Sequence, residues 1–213
     1  MSKSARRLHI AFVADTVEGK LGGGVVAAHH VVDALRRRHK VTVVASDATG
    51  ADDLRVPGFQ LPLRSMHEMQ FTMARPDRPA MARLFEEVDV VHVQFPFWLG
   101  MAAVDEAHRA HRPVVTAFHV QPENILSNVG VRWPWLARRI YALWASRYFG
   151  PADAIVAPTE FAARKLRENG VTTPVHVISN GVPPDLSTLA TKARRPNQGG
   201  PFLVLAVGRL AAE

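Results

Sequence analysis

Gly22, Gly23 and Gly24 stand directly before residues 25–38, a stretch whose composition predicts a helix. Glycine lets backbone approach another group closely, and a helix start presents unpaired N–H groups with partial positive charge. A strand, a glycine turn and a helix in succession are therefore suited to holding an anion such as a phosphate, with Gly23 and Gly24 supplying the donors. Asp15 ends the apolar run 8–14 that leads into this loop. It is placed to orient the glycines, to contact a ligand, or merely to cap a turn. His119 follows the apolar run 113–118, and Glu123 and Asn124 lie just beyond it.

The glycine loop has a rival reading. Gly22 to Ala27 satisfies G-x-G-x-x-A, and Asp47 lies 20 residues past Ala27, as in dinucleotide-binding proteins, so an NAD(P)-dependent Rossmann oxidoreductase is an alternative. In that fingerprint the first glycine ends the strand, whereas here residues 15–21 intervene. No G-x-x-x-x-G-K-[ST] occurs, so there is no P-loop, and there is no cysteine to act as nucleophile, disulfide partner or thiolate ligand. His108 and His111 are one helical turn apart but lack a third ligand, so no metal site is expected.

These residues need elements to position them. Apolar runs at 8–14, 41–46, 88–93, 113–118, 154–157 and 175–178 read as strands, with a short one at 59–63. Helices are expected at 25–38, 79–87, 99–110, 133–148 and from the Thr159 cap to Asn169, where Gly170 stops the last. Residues 66–78 are an ambiguous, methionine-bearing loop. Strand and helix in alternation predict an α/β fold, a Rossmann-like doubly wound parallel sheet. Ligands of such sheets gather at the carboxyl ends of the strands. That rule selects Asp15 to Gly24, Phe95 to Leu99, His119 to Asn124, Pro158 to Glu160, and Asn180 with Gly181.

Domain organisation follows composition. Residues 1–182 form one domain; 183–201, rich in Pro, Thr, Lys, Arg, Asn and Gln, read as a linker; and 202–213 open a second domain with a new buried strand. At 47% hydrophobic residues the chain can build a substantial core. A net charge of +7 admits phosphorylated substrates, anionic lipid or nucleic acid as partners. Nucleic acid is not favoured, because no basic patch is interleaved with aromatics outside the 133–148 helix. No stretch approaches 18 apolar residues, and the cysteine-free composition fits a cytoplasmic setting, peripheral to the inner face of a membrane if the basic helix touches one.

Together, the glycine loop, Asp89 to Val93, Val114 to His119, Ala157 to Glu160, Val177 to Val182 and Leu205 to Leu210 resemble glycosyltransferase family 4. The resemblance implies the GT-B fold, two Rossmann-like domains facing across a cleft, of which this chain is the N-terminal, acceptor-side half. It implies transfer of a sugar from a nucleotide-diphosphate sugar to an acceptor hydroxyl, with retention of configuration, in a hexosyltransferase-type enzyme. His119 matches the family histidine that approaches the transferred sugar, and Arg209 the arginine that binds the donor diphosphate. Asp15, Phe95, Trp98, Glu123 and Asn124 are then acceptor-binding candidates, while Thr159, Asn180 and Gly181 shape the cleft. No D-x-D triplet occurs, consistent with a metal-independent route that needs no cofactor beyond the nucleotide sugar as co-substrate.

The carboxylate pair by which the family binds donor sugar and nucleotide belongs to the second domain. The chain is accordingly expected to be a truncated transferase, inactive alone, or a non-catalytic acceptor-binding subunit that pairs with a separate donor-binding chain. Residues 91–100 resemble the corresponding strand and loop of glycolipid-forming members. Arg132, Trp133, Trp135, Arg138, Arg139, Trp144 and Arg147 mix aromatic and basic types as interfacial segments do. Leu136, Ile140, Leu143 and Trp144 also have the spacing of an ordinary buried stripe. An anionic membrane surface and simple core packing are both open.

Overall fold

The computed structural model describes residues 6–18, 22–60 and 71–181. The chain divides into two compact units, Met1–Ser179 and Asn180–Glu213. Every strand and helix among the described residues lies in the first. The expected linker at 183–201, the strand at 202–207 and Arg209 lie outside the described residues.

Seven strands form one parallel sheet: β1 (His9–Val13), β2 (Lys40–Ala45), β3 (Leu54–Arg55), β6 (Val90–Val93), β7 (Val114–Ala117), β8 (Ala154–Ala157) and β9 (Val175–Val177), in the spatial order β3-β2-β1-β6-β7-β8-β9. A two-stranded antiparallel piece, β4 (Gly58–Phe59) with β5 (Met73–Ala74), stands beside it. The helices are α1 (Gly23–Arg36), α2 (Arg78–Glu87), α3 (Trp98–Arg109), α4 (Pro122–Asn128), α5 (Pro134–Trp144) and α6 (Glu160–Glu168). The expected doubly wound Rossmann-like sheet is what forms.

β1 is the axis. Ile10, Ala11, Phe12 and Val13 are all buried, the signature of a parallel strand covered on both faces. It pairs with β2 on one side, Ile10 opposite Val41, and with β6 on the other, Ile10 opposite Val90. The connection through α1 steps one way across the sheet, and the connections through α3 and α6 step the other. Right-handed crossovers in opposite directions put helices on opposite faces. Two cores result. Phe12, Val25, Ala28, Val32 and Val43 pack under α1, while Met81, Phe85, Leu99, Tyr148, Phe149, Ile155 and Leu166 pack beneath α2, α3, α5 and α6. Full burial of each large side chain is worth about 1.5–3 kcal/mol.

Capping explains two helix starts. Asp77 accepts the Ala80 N–H at the head of α2, where Pro79 occupies the first turn, and the Thr159 hydroxyl accepts the Ala162 N–H at the head of α6. The expected helix 133–148 is broken into two regimes. After Trp144 the hydrogen bonding widens to i→i+5 over Ala145–Phe149, with Gly150 N–H donating to Ala145 carbonyl at 2.8 Å. That widening buries Tyr148 and Phe149 side by side, and the Tyr148 hydroxyl donates to Val93 carbonyl at 2.7 Å. Leu143 corrects the expected buried stripe: it points outward, and Ala137, Tyr141 and Trp144 form the inner face.

Candidate active site

β1 and β6 are neighbours, yet the chain leaves β1 toward β2 and returns to β6 on the other side. Their carboxyl ends therefore flank the sheet's topological switch point, where an open α/β sheet leaves a crevice. Three sequence-selected residues meet there. A Cβ added to Gly24 would lie 3.1 Å from Phe95 Cε1 and 3.7 Å from His119 Cβ, so the glycine at the head of α1 lies directly on both. Phe95 is buried, held edge-on by Phe71 at 5.7 Å and stacked with Phe97 at 6.1 Å. It forms the floor under the glycine. Gly22 takes φ +116, a backbone that favours glycine, and α1 begins without a side-chain cap. Among the described residues the N–H groups of Gly23 and Gly24 have no acceptor, whereas Val25 and Val26 both donate to Gly22 carbonyl. The positive end of the helix thus presents two N–H donors without an acceptor among the described residues.

Two aspartates hold the loop that precedes these glycines. Asp15 is buried, and its Oδ1 accepts the Ala74 N–H of β5 at 2.9 Å while its carbonyl accepts from both Ser46 N–H and Ser46 Oγ–H. It ties the end of β1 to the β4–β5 piece. Asp47 accepts the Thr16 hydroxyl and the Val17 and Glu18 N–H groups, using both oxygens. The oxidoreductase alternative required an acidic residue free to take a ribose, and Asp47 is instead committed to shaping the loop.

Burial sets the charge states. Asp15 Oδ2 has no described partner, and desolvation pushes its carboxyl up to about 7, against the opposing pull of the Ala74 N–H. Such a group favours folding below its unfolded pKa of 3.8, and that contribution is lost as pH rises toward 7. Asp15→Asn keeps an oxygen for Ala74 and cannot ionise. Urea unfolding at pH 5 and pH 8 is expected to show the variant gaining on the parent as pH rises. An equal difference at both values would mean that the carboxylate is ionised there without penalty.

His119 is half-buried and held down to about 4 by desolvation. His92 is likewise held to about 4, by burial first and by the neighbouring His119 in part. Both rings are neutral near pH 7. His92 stacks on Phe12 at 4.9 Å and places Nε2 3.3 Å from Gln94 Oε1, while Gln94 Nε2 is buried without a partner among the described residues. His92 and Gln94 were not selected from the sequence. A glutamine closing an apolar strand was the available signal.

The remaining candidates are dispersed. Trp98 opens α3 and is exposed. Glu123 is engaged by the Tyr141 hydroxyl at 3.0 Å and by Lys165 Nζ at 3.4 Å, bracing α4 against α5 and α6, while Asn124 is exposed. Thr159 spends its hydroxyl on the α6 cap. Asn180 and Gly181, the latter at φ +76, fall in the second unit. His108 Nε2 lies 2.9 Å from Pro151 carbonyl.

Residues 21–186 match the model of Glycosyltransferase Family 4. Two crystal structures of HepE from Anabaena, one with UDP-glucose and one with UDP and glucose, match with a TM-score of 0.55 each, at 18% and 19% identity. The likeness covers 87% of this chain and 50% of the HepE chain, so this chain spans half the length of that relative. At such identity it shows the fold. No curated protein matches the sequence.

Proposed function

The chain belongs to glycosyltransferase family 4, and from that premise we propose that it is the acceptor-side part of a retaining glycosyltransferase. The bond from the anomeric carbon to the donor diphosphate breaks, its electron pair leaving with the nucleoside diphosphate. The acceptor oxygen bonds to the same carbon face, and its proton passes to the departing phosphate. Negative charge grows on the diphosphate and positive character on the sugar, and a preorganised site must meet both. The supporting observation is the meeting of Gly24, Phe95 and His119 at the switch point, beside two N–H groups that have no acceptor among the described residues.

In this reading Gly23 and Gly24 donate to the diphosphate, and Phe95 supports them from below. His119 faces the sugar. Neutrality suits that role, because an imidazolium would repel a developing oxocarbenium ion, whereas a neutral ring donates a hydrogen bond to a sugar hydroxyl without doing so. Trp98 and Asn124, both exposed near strand ends, remain the acceptor-side candidates. Asp15 and Glu123 act by positioning, through β5 and α5. No metal enters the scheme.

The test is release of nucleoside diphosphate from a panel of nucleotide sugars by the full-length protein that carries this chain, with a chelator present. His119→Ala is expected to lower turnover roughly tenfold or more, the value of a buried hydrogen bond in a preorganised site. The parent's rate should not respond to His119 between pH 5 and 8, since the ring titrates near 4. Full activity in His119→Ala, or a titration near 6.5 that this variant removes, would overturn its role. A full-length protein that binds acceptor but never releases nucleotide would identify a non-catalytic subunit.

A further inference from the structure

Between Glu123 and Asp153 the chain has no acidic residue, but it has four arginines, Arg132, Arg138, Arg139 and Arg147. Arg147 pairs with Asp105 at 3.4 Å. The other three are exposed and form no ion pair with any described residue. Interleaved with them are Trp133, 57% exposed, Trp135, 53%, and Leu143, 48%. The two indoles stack at 5.8 Å, and the Arg139 guanidinium lies 5.5 Å from the Trp135 ring centre. α5 already fills its core through Ala137, Tyr141 and Trp144 on the opposite face. The outward tryptophans are therefore not needed for packing within this unit.

Their place in the fold is informative. α5 returns the chain to the start of β8, so in a parallel sheet its own beginning lies toward the carboxyl edge that carries His119. The Tyr141–Glu123 hydrogen bond fastens it to α4, which begins three residues after His119. An unpaired cationic surface with exposed indoles complements an anionic lipid headgroup layer. Arginine supplies the charge, and tryptophan places an apolar ring and one N–H donor at headgroup depth. No helix among the described residues is long and apolar enough to cross a membrane, so contact through this helix would be lateral.

We propose that the face of Arg132, Trp133, Trp135, Arg138, Arg139 and Leu143 seats on an anionic bilayer, and that the acceptor hydroxyl is carried by that surface. The second half rests on the transferase reading; the first does not. The experiment is co-sedimentation of the full chain with phosphatidylserine-containing and with pure phosphatidylcholine vesicles, alongside quenching of tryptophan emission by brominated lipid. Binding to the anionic vesicles alone, weakening with salt, is expected. Arg138→Gln and Arg139→Gln should each weaken it about fivefold. A Trp133→Ser, Trp135→Ser double variant should lose the quenching while melting as the parent does, because both sites are exposed.

Absence of binding to anionic vesicles at low salt would overturn the proposal, as would binding that survives all four substitutions. Self-association in vesicle-free solution that the tryptophan variants abolish would overturn it too, by making the face a protein interface. Vesicle binding by a full-length protein without sugar transfer would sustain the docking face and remove the transferase reading. Transfer to a soluble acceptor without vesicle binding would do the reverse.

Discussion

Gly100→Ala is expected to destabilise the protein by about 3 kcal/mol, the upper end of what overpacking a core costs. Gly100 lies buried in the first turn of α3, and a Cβ there would fall 1.9 Å from Phe95 carbonyl oxygen. That oxygen is backbone, so no rotamer change relieves the clash. Either α3 shifts away from β6 or the peptide after Phe95 moves, and Phe95 is the ring on which Gly24 rests. For a chain of this size the loss corresponds to a fall in Tm of about 6–12 °C. The control is Gly23→Ala, where an added Cβ meets nothing within 4 Å and the helix start gains a better helix former. Thermal unfolding followed by circular dichroism should separate the two variants. Equal melting of Gly100→Ala and parent would show that the α3 start is loosely seated.

The family resemblance assigns Arg209 to the donor diphosphate, and on that reading Arg209→Ala is expected to cost the full-length protein about 2–4 kcal/mol of transition-state stabilisation, roughly a thirty- to thousand-fold loss in kcat/KM. The departing diphosphate gains charge as the sugar bond breaks, so a fixed cation beside it stabilises the transition state more than the bound donor. A guanidinium meets two phosphate oxygens at once, which an ammonium does not, so Arg209→Lys should recover part of the loss and not all of it. Unchanged turnover in Arg209→Ala would sink the assignment of this residue to the diphosphate. A loss confined to KM would mean that it holds bound donor and transition state equally.

The strands on which the site is built were legible because each is a short apolar run whose neighbours are turn-formers or helix-formers. Burial on both faces leaves β1 almost no polar residue, and that is a local property of the sequence. β3 and β5 were missed for the opposite reason. Leu54–Arg55 and Met73–Ala74 are two residues each and form only because β2 and β4 offer an edge to pair with. α4 was missed because seven residues show too little periodicity to stand out.

The glycine loop divides in the same way. Its composition, its place between strand and helix, and its distance from the strand end are sequence properties, and they sufficed to favour a phosphate-facing loop over a dinucleotide turn. The sequence alone also carried the six motifs of the family. Only tertiary structure decided what those residues touch. Asp47 turned from a ribose candidate into the clamp on residues 16–18, across some thirty positions of chain. Phe95 turned from an acceptor contact into the floor under Gly24, Leu143 from core to surface, and His119 from a strand-end residue into a neutral ring beside a helix start. Each of those outcomes depends on a partner distant in the chain. Hydrophobic period reports which face of an element is apolar, but not which element arrives to cover it.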